Sequence, residues 1–295
     1  MRAYSHLLLL GAAIVLLASC NASSALKKAE QALALGEYYE AATQFRKAYM
    51  KTPTKQKALR AERALKAAEC FRRINFSAKA IGCYQNAIRC GTQDSLATLH
   101  LAQMLQRQGD YKKAIPLYEQ YLAIVPNDPL ARAGLDGCKM VEQWKAHPST
   151  YSVKKETVIN GRRADYCPMI AGDEHEQLYL TSTRPTAQGD DISLITGMKA
   201  GDIFFTKKDD KGKWTNIEPV QGELNSEYDE GASCLSPDGK TMYLTRCTTD
   251  PSYPRYARIF ASSRSDAAWS APKELLITVP HAQVSVVGHQ RRERQ

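Results

Sequence analysis

The sequence predicts a multidomain chain, an α-solenoid followed by an all-β region of about two repeated units. Three observations carry that reading: a helical repeat over residues 22–128, a strand-type repeat within residues 149–280, and a change of charge between them. A chain of 295 residues has room for two modest domains. Its hydrophobic share of 43% and charged share of 24% are those of a globular protein and exclude general disorder. From Asn21 to Pro148 there are 20 Lys and Arg against 11 Asp and Glu, whereas from Ser149 to Gln290 there are 16 against 19. That asymmetry points to two modules with different surfaces. No basic stripe interleaved with aromatics accompanies the net charge of +9, so nucleic acid is not an expected partner.

The chain opens on Arg2, an apolar run from Leu7 to Leu17, and then Leu17-Ala18-Ser19-Cys20. The run is too short to span a bilayer core of roughly 30 Å as a helix. Residues 1–19 therefore read as a signal peptide, with small Ala18 and Ser19 opening the backbone to a cleavage enzyme. The four-residue pattern resembles the bacterial lipobox, which implies acylation of Cys20 and a stable multi-chain membrane anchor. Seven further cysteines follow, an odd number, so at least one is a free thiol or an intermolecular bridge. No two make a C-x-x-C pair, and Cys70, Cys83 and Cys90 fall at helical positions as small buried hydrophobes.

The helical part repeats. Gly36-Glu37-Tyr38-Tyr39-Glu40-Ala41 matches Gly109-Asp110-Tyr111-Lys112-Lys113-Ala114, and each leads to an aromatic four residues on (Phe45, Tyr118) and to a proline (Pro53, Pro126). A copy between them runs from Phe76 through Ala80 and Tyr84 to Ala87. Ala80 and Ala114 are 34 positions apart and Ala41 and Ala80 are 39 apart, so five extra residues separate the first two copies. Each copy reads as two antiparallel helices. Glycine suits the turn between them, the alanines allow close approach, and proline cannot continue the second helix. The spacing resembles the tetratricopeptide repeat over residues 22–55, 61–94 and 95–128, with a capping helix at 129–146 carrying apolar Leu130, Leu135, Met140 and Val141. The resemblance implies a partner-binding groove lined by each first helix. By helical register Lys66, Arg72, Arg73 and Arg107 point there, either as a site for an acidic peptide or chain terminus or as a solvated basic face. They do not reproduce the Lys/Asn clamp that such repeats use on carboxyl termini. His100 reads as a groove or packing residue.

From residue 149 short alternating runs broken by Gly, Pro and Asp read as strands. Leu178-Tyr179-Leu180-Thr181-Ser182 recurs as Met242-Tyr243-Leu244-Thr245-Arg246, and Asp202 to Thr206 followed by Trp214 recurs as Arg258 to Ser262 followed by Trp269. Leu235-Ser236-Pro237-Asp238-Gly239-Lys240 places a tight turn before the second copy, with glycine at positive φ. Each unit reads as four strands, the pattern of a propeller blade, and residues 149–280 hold a partial β-propeller of about two blades. The Ser-Pro-Asp-Gly-Lys form resembles the TolB-type propeller repeat, although the first copy has Ala171-Gly172-Asp173-Glu174 instead. Residues 281–295 read as an irregular basic tail. Because closure takes more blades, the expectation is a shortened or frameshifted member of a longer family, or blades completed by a partner.

Together, lipobox, helical repeats and TolB-type blades resemble the envelope lipoproteins of Bacteroidetes-type bacteria. There an OmpA-like peptidoglycan-binding domain usually follows, and one member serves type IX secretion and gliding. The resemblance implies an outer-membrane lipid anchor on the periplasmic side, other envelope proteins as partners, and contact with peptidoglycan only through a domain that has no counterpart here. No catalytic set is legible. The Gly-x-Ser-x-Gly elbow is missing, and His175-Glu176 has Tyr179 where a zinc helix needs histidine. The pairs Asp190-Asp191 and Asp209-Asp210 fall in polar turns, and Asp229-Glu230 suits local hydrogen bonding. A non-enzymatic interaction scaffold without cofactor or metal is expected. The competing reading is an envelope enzyme or a sugar or peptide receptor whose active part is missing or lies on the blade face.

Overall fold

The computed structural model describes residues 23–189, 192–247, 257–266 and 268–277. Cys20 and the residues 1–19 expected to be a signal peptide, Asp190-Asp191 and the residues 281–295 expected to be a tail lie outside the described residues. The chain divides into two compact units, Met1–Ser152 and Val153–Gln295. Among the described residues no helix is long and apolar enough to cross a membrane.

The first unit is a run of antiparallel helices: α1 (residues 23–34), α2 (Tyr38–Lys51), α3 (Lys57–Arg73), α4 (Ser77–Arg89), α5 (Leu96–Arg107), α6 (Tyr111–Ile124) and α7 (Pro129–Ala146). The repeated positions make its core. Ala41, Ala80 and Ala114 are fully buried and let neighbouring helices touch, and Phe45, Tyr84 and Tyr118 fill the space beside them. The within-repeat turns reverse through a left-handed residue: Gly36 at φ 76°, Asn75 at φ 62° and Gly109 at φ 78°. Asparagine tolerates that region through its short polar side chain, which is why the second copy turns without glycine. The five extra residues between the first two copies are absorbed partly in helix. The α3 helix has 17 residues, and α5 has 12. The last helix is seated by Leu135, as the sequence suggested, together with the small Ala131 and Cys138. Leu130, Met140 and Trp144 face solvent, so the outer face of this cap is partly apolar instead of polar.

The second unit holds two curled antiparallel sheets. The first runs β1 (Asp165–Ala171), β2 (Gln177–Ser182), β3 (Asp202–Lys207) and β4 (Glu218–Pro219) in order. The second runs β5 (Asp229–Leu235), β6 (Thr241–Cys247), β7 (Ala257–Ser265) and β8 (Ala268–Trp269), with β9 (Lys273–Glu274) also on β7. Register repeats faithfully between them: Leu178 opposes Thr206 as Met242 opposes Ser262, and Leu180 opposes Phe204 as Leu244 opposes Phe260. Each first strand bulges at the same place, between Tyr166 and Met169 and between Gly231 and Cys234, with Cys167 and Ala232 at positive φ. Such bulges bend a strand and raise its twist. Between the sheets Tyr179, Ile203, Val220 and Leu224 meet Met242, Leu244, Phe260 and Trp269 in one core. Trp214 and Trp269 share a position after the third strand, and each carries a cation over its ring, Lys208 at 5.1 Å and Arg264 at 5.2 Å. Their surroundings differ: Trp269 is buried between the sheets, whereas Trp214 packs on the opposite face of the first sheet near Phe204.

The turn motif behaves as its residues require. Gly239 sits at φ 64°, and Asp238 accepts from the Lys240 amide at 3.0 Å. The first copy places His175 there, at φ 56°. A side chain in that region costs about 1 kcal/mol or more, so His175→Gly is expected to raise the stability of the β unit by about 0.5–1 kcal/mol. A denaturant midpoint that moved down instead would mean His175 makes a compensating contact.

Candidate functional site

The groove side of α3 carries Glu62, Leu65, Lys66, Glu69, Arg72 and Arg73, which recur every three or four residues and so share one face. The structure separates the four basic residues named from sequence into two kinds. Lys66 is held by acids, Glu62 at 3.0 Å and Glu30 of α1 at 3.8 Å. Arg72 gives Nη2 and Nε to one oxygen of Glu69, at 2.7 and 3.1 Å. Arg73 instead donates to the Tyr38 hydroxyl at 3.3 Å and stacks over its ring at 5.3 Å. Arg107, at the same position one repeat on, donates to Asn75 Oδ1 at the next turn. Among the described residues Arg73 and Arg107 make no ion pair, so their charges are oriented by neutral groups and remain uncompensated. They form a row along the turn edge of the groove, while Lys66 and Arg72 belong to its internal charge pairing.

The hub of that pairing is Glu69, which the sequence reading did not single out. Its carboxylate accepts from Arg72, from the Tyr84 hydroxyl of α4 and from His100 Nδ1 of α5 at 2.6 Å, joining three helices. Burial alone would raise the Glu69 pKa, but these three partners outweigh it and hold the carboxyl down at about 2. Burial, reinforced by the Glu69 charge, pushes the Tyr84 hydroxyl well above the usual phenol range. His100 thus closes a network between repeats. The only sequence signal was spacing, an acid in register between Lys66 and Arg73. Glu69→Leu is expected to cost about 2 kcal/mol, because it strands a guanidinium, a hydroxyl and an imidazole together. Since the folded pKa is depressed, this stabilisation is present above about pH 4.5 and is lost as pH falls towards 2. A melt of the helical unit across that range checks the prediction, and an acid limb unchanged by Glu69→Leu would contradict it.

Elsewhere the candidate chemistry is structural. Among the described residues no three His, Cys, Asp or Glu groups are placed to hold a metal. All seven described cysteines are unbridged; Cys70, Cys83 and Cys138 are buried, Cys90 and Cys247 half-buried, and Cys167 and Cys234 exposed. Cys90 is thus less enclosed than its helical spacing suggested. Asp209 caps its own turn through the amides of Lys211 and Lys213, both at 2.9 Å. The His175-Glu176 pair lies in the β1–β2 turn. Asp229 and Glu230 lie at the start of β5. Asp229 accepts from the Gly201 amide at 2.6 Å, and Glu230 is fully enclosed against Arg246 at 2.6 Å and the Ser226 hydroxyl at 2.5 Å. Asp165, at the start of β1, makes an ion pair with Arg184 at 2.8 Å.

The helices pair through buried alanines with left-handed turns between them, and residues 96–135 match the profile of the tetratricopeptide repeat family. The helical unit is tetratricopeptide-like. Among solved structures, it is similar to the C-terminal tetratricopeptide-containing domain of a Plasmodium falciparum protein assigned to the FK506-binding proteins, at 13% identity and a TM-score of 0.37, covering 45% of this chain and 94% of that one. It is also similar to the Sgt2 tetratricopeptide domain of Aspergillus fumigatus, at 19% and 0.35, covering 45% and 88%. A tetratricopeptide-like protein of Chlorobium tepidum is similar at 19% and 0.32, covering 46% and 99%. No curated protein matches the chain.

Proposed function

We propose that this chain is a non-enzymatic scaffold of the bacterial envelope that holds acidic segments of partner proteins in its tetratricopeptide groove. One observation carries the choice of ligand. Arg73 and Arg107 stand in a row with their charges uncompensated, while Lys66 and Arg72 are neutralised from within. An acidic partner gains charge-assisted hydrogen bonds from two guanidiniums already oriented by Tyr38 and Asn75, so little side-chain freedom is lost on binding.

The compartment is part of the same proposal. The Leu17-Ala18-Ser19-Cys20 pattern supports acylation of Cys20 and anchoring on the periplasmic side of the outer membrane. The repeated meanders, with matching bulges, turns and tryptophans, support the reading of the β unit as two TolB-type propeller blades. That combination favours partners in a secretion or motility assembly of the type IX kind.

The test is affinity purification from detergent-solubilised envelopes with the whole chain, a form ending at Pro148, and Cys20→Ala. Defined outer-membrane or secretion components are expected with the first two. Cys20→Ala is expected to leave the membrane fraction. Retention of nothing specific by the whole chain would refute the scaffold reading, and unchanged fractionation of Cys20→Ala would refute the anchor.

A further inference from the structure

The face of α3 opposite the groove is built differently. Ala64 and Ala67 lie half a turn away from Lys66, Glu69 and Arg73, and they floor a cleft of about 360 Å³ between α2 and α4. Arg46, Tyr49 and Met50 of α2 make one wall, and Ala78, Lys79, Gly82, Cys83 and Asn86 of α4 the other. The repeat itself shows why a cleft exists here. One repeat on, Thr98 and Leu101 replace Ala64 and Ala67, and Pro116 and Leu117 replace Gly82 and Cys83. Four small side chains thus leave room where the next repeat carries larger ones. A Cβ added at Gly82 meets nothing within 4 Å. Burial pushes the Cys83 thiol up to about 11 against the opposing pull of Arg46, so it stays protonated and acts as apolar wall.

The surroundings of the cleft are strongly basic. Between Arg46 and Arg63 the chain carries seven Lys or Arg against a single acid, Glu62, which faces Lys66 on the groove side. Arg60 stacks over the Tyr49 ring at 4.1 Å and donates to the backbone carbonyls of Tyr49 and Thr52, at 3.2 and 2.7 Å. Arg63 donates to the Thr52 hydroxyl. Lys79 lies over the rings of Tyr39, Phe71 and Phe76, at 5.1, 5.5 and 4.7 Å. These cations are positioned by carbonyls, a hydroxyl and aromatic faces, and among the described residues no carboxylate lines the cleft. Met50, at 68% exposure, lies at its mouth.

We infer that this cleft is a second docking site, separate from the groove, for an acidic peptide segment that inserts one large apolar side chain between α2 and α4. The recess supplies the apolar pocket, and the Arg46, Arg60, Arg63 and Lys79 surroundings supply complementary charge. A lipid surface fits less well, since a membrane is met by protruding apolar groups and this site is concave.

The test uses the whole chain in detergent and fluorescein-labelled nonapeptides of alternating Glu and Gly with a central Leu, Phe or Trp. Control peptides carry central Ala, or Lys in place of Glu. Saturable binding is expected for the acidic apolar peptides, at least tenfold weaker with central Ala and undetectable with Lys. Gly82→Leu fills the cleft with a better helix former, so the fold is retained, and a thermal melt verifies it. In the background of Arg73→Glu with Arg107→Glu, which removes the groove as a competing site for acidic peptides, Gly82→Leu and Arg46→Glu are each expected to weaken the remaining binding at least tenfold. Binding in that background unaffected by Gly82→Leu, or abolished by the Arg73 and Arg107 changes themselves, would overturn the proposal. So would no peptide binding, or binding only of phosphatidylglycerol vesicles that depends on Arg46.

Discussion

Gly222→Ala is expected to unfold the β unit at temperatures where the helical unit stays intact. Gly222 lies at φ 104°, and a Cβ there would stand 2.1 Å from the Trp269 carbonyl oxygen and 2.5 Å from its amide nitrogen. That backbone contact joins the two sheets. The Trp269 amide donates to Gln221 O and the Glu223 amide to Trp269 O, both at 2.9 Å, and the Trp269 ring fills the core between the sheets. Neither neighbour is a flexible side-chain end, so the backbone must separate. Positive-φ strain and overpacking together amount to about 3 kcal/mol or more, a large part of what a unit of this size has in reserve. Differential scanning calorimetry is expected to show one transition lowered or lost and the other unmoved. A thermogram like that of the parent would mean the sheets are not joined through Gly222.

The second large effect is a dependence of the β unit on pH. Asp202 opens β3 fully buried; one oxygen accepts from the Gln188 amide at 2.9 Å, and the other has no hydrogen-bond partner among the described residues. Burial raises its pKa to about 6, with Asp229 adding to the rise, while the Gln188 amide and the Lys199 charge oppose it. A raised folded pKa means that the native state holds a proton the unfolded chain has already released. The stabilisation is therefore complete below about pH 4 and declines as pH rises through 6. The loss approaches about 3 kcal/mol by pH 7.5. Asp202→Asn keeps the shape and the acceptor for Gln188 without the charge. It is expected to raise the melting temperature of the β unit at pH 7.5 by several degrees and to flatten its decline from pH 5. A variant less stable than the parent at pH 7.5 would show that the ionised carboxylate is needed.

Much of this architecture was legible because its causes are local. A glycine before a tyrosine, an alanine and then an aromatic four residues on each do one job in a helical hairpin, so their spacing declared the repeat. The Pro-Asp-Gly turn and the two tryptophans likewise depend on a few neighbouring residues. Asn75 escaped notice because it fills a glycine position by a different chemistry, as does His175 in the β unit. The capping helix stands where it was expected, but periodicity marks a face as apolar without saying which of its residues meets a neighbour. Ala131 and Cys138 fit against α6 where Leu130 and Met140 do not. In the groove, register placed Lys66, Arg72, Arg73 and Arg107 on one side of the helices, and Glu62 and Glu69, within four residues, neutralise the first two. The neutral partners of Arg73 and Arg107, Tyr38 and Asn75, come from 35 and 32 residues away and were not legible from spacing.

If Arg73 and Arg107 form the partner-binding row of the groove, reversing both charges removes the partners. The direct measurement compares the envelope proteins co-purified by the whole chain with those co-purified by Arg73→Glu with Arg107→Glu, after a melt confirms both are folded. At least tenfold loss of the specific partners is expected from the double variant, and a similar loss from the parent at high salt. An undiminished set of partners would contradict it and move the interaction away from the groove.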